Sequence, residues 1–212
     1  MLLSTAYFPP IEFFALLAEN SVVYLDPFEH YQKQSWRNRC RILAADGPAY
    51  LNFPIVHEGS HELPITKIKV DYSTPWVLKT KRAIASAYES SAYFDYYKDE
   101  LFSILDSRPE TLFELDLLII KYFLSKTGIA ADIRLTESYI PVGNHDLTLY
   151  GEDYREILHP KRPNTVLKDL GLEKPYFQVF ARKYGFTSDL SIMDLLFNEG
   201  PDSILYLKTS SR

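Results

Sequence analysis

The first 26 residues constrain the fold more than any other stretch. Leu2-Leu3-Ser4-Thr5-Ala6 is short and apolar enough for a strand, and Pro9-Pro10 stops it. Ile11, Phe14, Leu17 and Ala18 then recur at helical spacing along one face. After Asn20 the β-branched run Val22-Val23-Tyr24-Leu25, ending in Asp26, reads as a strand buried on both faces. Two strands joined through a crossover helix pair in parallel, so the chain opens with a βαβ unit.

The remaining patterns fit around that unit. Ile42 to Val56 reads as a hairpin turning at Asp46-Gly47, and the polar residues 57–66 as a loop. Ile68 and Val70 suggest a short strand. Thr74 and Pro75 predict a helix start, with Val77, Ile84 and Tyr88 on one face. Phe94, Tyr97, Leu101 and Ile104 form a second helical stripe. Leu112, Leu115, Ile119 and Tyr122 form a third, closed by Gly128. The alternation of Ile129, Ala131, Ile133 and Leu135 predicts a strand. Asp153 to Leu158 reads as one or two helical turns, and Tyr176 to Tyr184 as a helix capped by Gly185. A last helix starts at Ser191, with Ser191 and Asp194 as a capping box and Leu190 with Leu195 as a staple, and ends near Gly200. With no repeat or linker, the expectation is one α/β domain over residues 1–212, holding a mixed sheet with an N-terminal βαβ unit and flanking helices.

Composition narrows the class. A hydrophobic fraction of 46%, with 15% aromatics, can build a packed core and excludes disorder. A net charge of −5 argues against a nucleic-acid binder. Cys40 is the sole cysteine, which suits a reducing compartment. No apolar run is long enough for a transmembrane segment, and Met1-Leu2-Leu3-Ser4 does not begin as a signal peptide does. The expected location is the cytoplasm.

The stretch from Asp26 to Arg41 carries the chemistry. Asp26 ends a parallel strand, where ligands of open α/β sheets bind. If residues 36–42 are extended, Arg37, Arg39 and Arg41 share one face, and Trp36, Asn38, Cys40 and Ile42 the other. Such a row is either a solvated face paired with nearby acids or a grip for a phosphate, pyrophosphate or carboxylate. His30, Tyr31 and Lys33 lie upstream and can join it. Downstream, Asp153-Tyr154-Arg155 and His159-Pro160-Lys161-Arg162 can line a substrate pocket, with His159 as a base, or form a basic surface loop. The implied partner is a small molecule bearing phosphate or carboxylate.

Other motifs carry less. His57-Glu58-Gly59-Ser60-His61 matches H-E-x-x-H, but Gly59, Ser60, Pro54 and Pro64 deny it the helix that a zinc protease needs, so it reads as a polar loop and no metal is expected. In the extended arrangement Cys40 faces away from the arginines, as a core residue does. No glycine-rich phosphate loop occurs, and no cofactor is indicated.

Several blocks together resemble the WbqC-like protein family. Ala6-Tyr7-Phe8-Pro9-Pro10-Ile11-Glu12-Phe13-Phe14 is similar to its Tyr-Phe-Pro-x-Ile-x-Tyr-Phe signature, and Val23-Tyr24-Leu25-Asp26 to the strand that follows. Trp36-Arg37-Asn38-Arg39-Cys40-Arg41-Ile42 resembles its Trp-x-Asn-Arg-x-x-Ile block, and Leu190 to Gly200 its Leu-Ser-Ile-x-Asp-x-Leu-Phe-Asn block. Pro27 stands where the family often has a second Asp, Glu12 where it has Gly, and Thr5-Ala6 where it has Gln-Pro. The resemblance implies a role in O-antigen and other surface-polysaccharide biosynthesis, with aminoacyl or glycyl transfer to a sugar proposed for the family. On this reading the chain is a transferase with Asp26 and His159 as catalytic residues. Arg37 and Arg39 hold an anionic donor, with Lys33 assisting and Asn38 as a polar neighbour. His30, Tyr31 and Trp36 complete that side, and Tyr154, Arg155 and Lys161 the other. The alternative is a non-catalytic anion-binding or scaffolding component that works with other glycan-biosynthesis proteins.

Overall fold

The computed structural model describes residues 1–56, 59, 63–143 and 146–208. Strand β1 (Leu2–Leu3), helix α1 (Ile11–Glu19) and strand β2 (Val22–Leu25) form the expected βαβ unit, with Leu2 opposite Tyr24 and Leu3 opposite Leu25 in parallel register. A one-turn 3-10 helix at Trp36–Asn38 leads into the hairpin β3 (Arg39–Ala44) and β4 (Gly47–Asn52). The helices α2 (Trp76–Tyr88), α3 (Phe94–Asp106) and α4 (Leu112–Thr127) follow, and Gly128 closes α4 at φ 71. Strand β5 (Asp132–Leu135) returns to pair in parallel with β2. The chain ends in short helices: α5 (Leu147–Tyr150), α6 (Val166–Asp169), α7 (Ala181–Tyr184), α8 (Ile192–Glu199) and α9 (Ser203–Leu207).

The α/β class holds, but its strands divide into two sheets. The parallel sheet has the order β1-β2-β5, and the antiparallel hairpin stands apart. The outer edge of β1 is not free for β3, because Leu2 N–H donates to the Glu152 carbonyl at 2.8 Å and Tyr154 N–H to the Leu2 carbonyl at 2.9 Å. β2 alternates buried and half-buried side chains, rather than burying both faces.

A single core cluster runs from Leu3 to Leu207. Two helices lie inside it. α4 is buried around most of its girth, including Asp116, whose carboxyl accepts from Thr5 Oγ1 at 3.1 Å. α1 buries every residue from Ile11 to Leu17, wider than the stripe its periodicity suggests, and Glu12 goes inside with the rest.

Local expectations fail where side chains are pulled elsewhere. α2 begins at Trp76, with Pro75 rather than Thr74 as its cap. The helix expected over 176–184 shrinks to α7, because Tyr176 Oη and Gln178 Nε2 donate to Asp194 at 2.6 and 3.0 Å. Ser191 caps α8, but Asp194 does not reach back to complete the box. Its carboxyl is buried and pushed up to about 6 by desolvation, against the opposing hydrogen bonds.

Candidate functional site

The carboxyl end of β2 is filled by the protein's own charges. Asp26 is buried, and both its oxygens are taken. Oδ1 accepts from Phe28 N–H (2.9 Å) and Thr136 Oγ1 (3.2 Å), and Oδ2 from Ile140 N–H (2.9 Å) and Arg155 (3.2 Å). Arg155 is held from its other side by Asp153, with Nε at 3.0 Å and a terminal nitrogen at 2.7 Å. Arg37 is buried as well. It grips Glu29 through two nitrogens, at 3.1 and 2.5 Å, and donates to Ser4 Oγ at 2.7 Å. The space between Arg37 and Arg155 is about 10 Å³, room for about one water and not for a donor.

The expected row of three arginines therefore does not exist. Gln34 sits at φ 60, and Ser35 Oγ then accepts from Arg37 N–H, which winds residues 36–38 into the 3-10 turn. The two-residue alternation starts only at Arg39, and Arg37 is turned inward. Of the other proposed residues, Tyr31 is buried, and His30 and Lys33 are exposed outside any described cavity. Asn38 Nδ2 donates to the Phe53 carbonyl at 3.1 Å. Arg39 lies over the Tyr50 ring at 5.6 Å, and Tyr154 Oη donates to Glu152 at 2.5 Å. Burial pushes the Cys40 thiol up, which leaves it inert. His57, Glu58 and His61 lie outside the described residues.

A ligand-sized space opens elsewhere. A cleft of about 320 Å³ lies between the start of α1, β3, the turn at 159–164 and the loop before α8. Backbone bonds assemble it. Ile11 N–H donates to the Leu190 carbonyl (2.9 Å), Ile192 N–H to Pro9 (2.9 Å) and Ser191 N–H to Arg41 (2.7 Å). These three bonds bring Glu12, Arg41 and Asp189 to one floor. Trp36 and Tyr50 form an aromatic side, with ring centroids 6.4 Å apart. Lys161, Arg162 and Lys168 form the rim. Arg162 pairs with Glu156 and Lys161 with Gln34, whereas Arg41 and Lys168 make no ion pair among the described residues.

The electrostatics of the floor are uneven. Burial raises the Glu12 carboxyl, the neighbouring Asp189 raises it further, and Asn164 beside it partly opposes both. Burial raises Asp189 too, but the Glu12 N–H bond at 3.2 Å and the Arg41 guanidinium favour its charge. His159 is lowered, first by burial and then by Arg162. Its Nδ1 accepts from Lys161 N–H at 3.2 Å, so the neutral ring carries its proton on Nε2. His159 in this tautomer offers a hydrogen-bond donor at Nε2.

The WbqC-like protein family profile matches residues 5–171 of this chain. The chain belongs to the WbqC-like protein family. A relative in Mycobacterium tuberculosis, the uncharacterized protein Rv1507c, is 26% identical over 224 aligned positions, covering 95% of this chain and 94% of that protein. No solved structure matches. Within the family's Trp-x-Asn-Arg block, Trp36 walls the cleft, while Arg37 and Asn38 brace the fold beneath it.

Trp36, His159 and Lys161 are the proposed residues that the structure brings to the cleft. Sequence reasoning missed Glu12 and Asp189. Glu12 had one signal: a lone acid among Ile11, Phe13, Phe14 and Ala15, on a helix too apolar to spare it a solvated face. Asp189 lies 177 residues away and gave none.

Proposed function

We propose that this family member is a cytoplasmic transferase of surface-polysaccharide biosynthesis, and that it seats an anionic activated donor in the cleft. Asp26, Arg37 and Arg155 leave the list of reacting groups and become its foundation. Arg41 takes their place as the fork for phosphate or carboxylate, assisted by Lys161, Lys168 and the Nε2 proton of His159. Trp36 and Tyr50 offer faces for the ring of a sugar or a base.

One observation carries this reading. The cleft sets Arg41 and Lys168, which make no ion pair among the described residues, beside carboxyls whose protonation is displaced from the ordinary range. Displaced titratable groups in a ligand-sized cleft mark chemistry more often than storage. A purely structural anion-binding component needs the cations but has no use for buried acids beside them.

A thermal-shift screen with sugar nucleotides, inorganic phosphates and aminoacyl phosphates tests the reading, using wild type and Arg41→Ala. A ligand of the folded state raises the melting temperature by mass action. The expected result is a rise in wild type that disappears in Arg41→Ala while its unliganded melting temperature holds. No rise with any of the three classes, or an equal rise in both proteins, rejects the cleft as the donor site.

A further inference from the structure

Glu12 and Asp189 are acids in a place where the fold does not ask for two. Glu12 occupies the first turn of a helix whose neighbours Ile11, Phe13 and Phe14 are buried and apolar. The residue is 3% exposed. A buried, unneutralised carboxylate is costly, so a glutamate kept there calls for a proton or a partner. Its carboxyl has no salt bridge among the described residues, and beside it stand the Asn164 amide and another acid, Asp189. Asp189 is half-buried at φ 52 and accepts the Glu12 N–H at 3.2 Å. Accepting that N–H explains why Asp189 is ionisable there. It does not explain why the residue it contacts is a second acid.

Among the described residues, the groups around the pair can be named. Asn164 lies against Glu12 from the 159–164 turn, and Arg41 faces Asp189 from β3. Tyr206 of α9 feels the charge of Asp189. His159, Lys161, Arg162 and Lys168 stand across the cleft, and Glu173 on its outer wall. Two carboxyls near enough to feel one another's charge do not both ionise freely. The first proton leaves readily and the second is retained. The cation and the backbone donor both act on Asp189, so the charge settles there and the proton on Glu12.

We propose that Glu12 and Asp189 share one proton as the acid–base pair of the cleft, and that this proton helps hold a phosphate-bearing polyanion against Arg41. The proposal rests on the cleft being the donor site and adds the groups that move protons there. In a transfer, the acceptor's hydroxyl or amine lone pair bonds to the donor's electrophilic carbon, and its proton passes to Asp189. The bond from that carbon to the phosphate oxygen breaks, leaving its electron pair on the oxygen, which takes the proton of Glu12. The charge then lies on Glu12 and the proton on Asp189, and a shift between the two restores the start. A bound polyanion opposes ionisation of Glu12, so it should bind more weakly as pH rises past the pair's second titration.

Carbon-13 carboxyl NMR titration of the full chain tests the shared proton, with Glu12→Gln and Asp189→Asn assigning the signals. Glu12→Gln keeps the shape of the protonated acid, so it preserves the fold. One carboxyl of the pair is expected to stay protonated past pH 7, and Asp189→Asn to move the Glu12 midpoint down by about a unit or more. Two carboxyls that titrate in the ordinary range, or a Glu12 midpoint unmoved by Asp189→Asn, overturn the shared proton. Calorimetric titration with pyrophosphate is the second arm. The wild-type affinity, taken as a ratio to Glu12→Gln in the same buffer, should fall about tenfold per pH unit above the midpoint. A flat ratio overturns the coupling. If pyrophosphate does not bind while the coupled titration persists, the anion half of the proposal falls together with the donor reading, and the shared proton stands.

Discussion

The end of β2 and the cleft before α8 are built from the same side-chain types and treat them in opposite ways. Beyond β2 the two buried guanidiniums, Arg37 and Arg155, each meet a carboxylate. Arg155 lies between Asp26 and Asp153, and Arg37 is clasped by Glu29 at 2.5 Å. In the cleft, Arg41 makes no ion pair among the described residues and only feels the charge of Asp189, while Glu12 faces Asp189 rather than a cation. Charges that saturate one another stabilise a fold against being pulled apart. Charges left incomplete at the edge of an open space can complete themselves on a ligand. Counting arginines near a strand end does not separate the two cases, whereas asking which acids they already hold does.

The largest expected effect is in the saturated region. Asp26→Ala leaves Arg155 buried with one of its two carboxylates gone and strips the Ile140 N–H of its acceptor, and should cost about 3–5 kcal/mol in urea unfolding. A loss below 1 kcal/mol would show that this network is dispensable. Next comes Arg41→Ala in the cleft. It should weaken pyrophosphate binding about 10- to 100-fold, as for loss of a charge-assisted bond, with the unfolding midpoint nearly unchanged. The reverse pattern, intact binding and a collapsed midpoint, would place Arg41 with the structural arginines.

A smaller effect follows from pH. An acid whose folded-state affinity for a proton is raised contributes stability at low pH and loses it as pH climbs through its folded titration. Asp194, at about 6, loses its share between about pH 4 and 6, and Glu12 loses its share higher. Glu156 and His159 are both lowered, and their contributions rise with pH instead. Comparison of Glu12→Gln with wild type cancels them. The variant should gain about 1–2 kcal/mol over wild type between pH 6 and 9. A constant difference across that range would mean that Glu12 ionises as freely in the fold as outside it. The smallest effect belongs to an exposed pair. Lys69 and Glu110 approach to 3.0 Å at 63% and 72% side-chain exposure, and Lys69→Ala should change stability by less than about 1 kcal/mol.

Much of the architecture could be read from residue pattern. Val22–Leu25, the three central helices and the Gly128 cap fall where apolar period and turn chemistry put them. Pattern failed where a distant side chain overrode it. The 176–184 segment looks helical, but Tyr176 and Gln178 are drawn to Asp194, 18 and 16 residues on. The site was less legible for the same reason. The even spacing of Arg37, Arg39 and Arg41 implies a shared face only in an extended chain, and the turn begun by Gln34 and Ser35 breaks that condition. Trp36, His159 and Lys161 were recognisable because their neighbours are locally rich in charge. The pairing of Glu12 with Asp189 spans almost the whole chain, and no window of sequence contains both.

The stitching of Leu190–Ile192 between Pro9 and the Arg41 carbonyl has a consequence for biosynthesis. A nascent chain can form its βαβ unit and hairpin early, yet the cleft has no floor until residue 192 has cleared the ribosome and threaded back to the beginning. Translation halted before that point would release a species with helices and a partial core but no place to seat a ligand. Ligand-dependent protection from proteolysis, followed on stalled chains of increasing length, should therefore switch on late and abruptly.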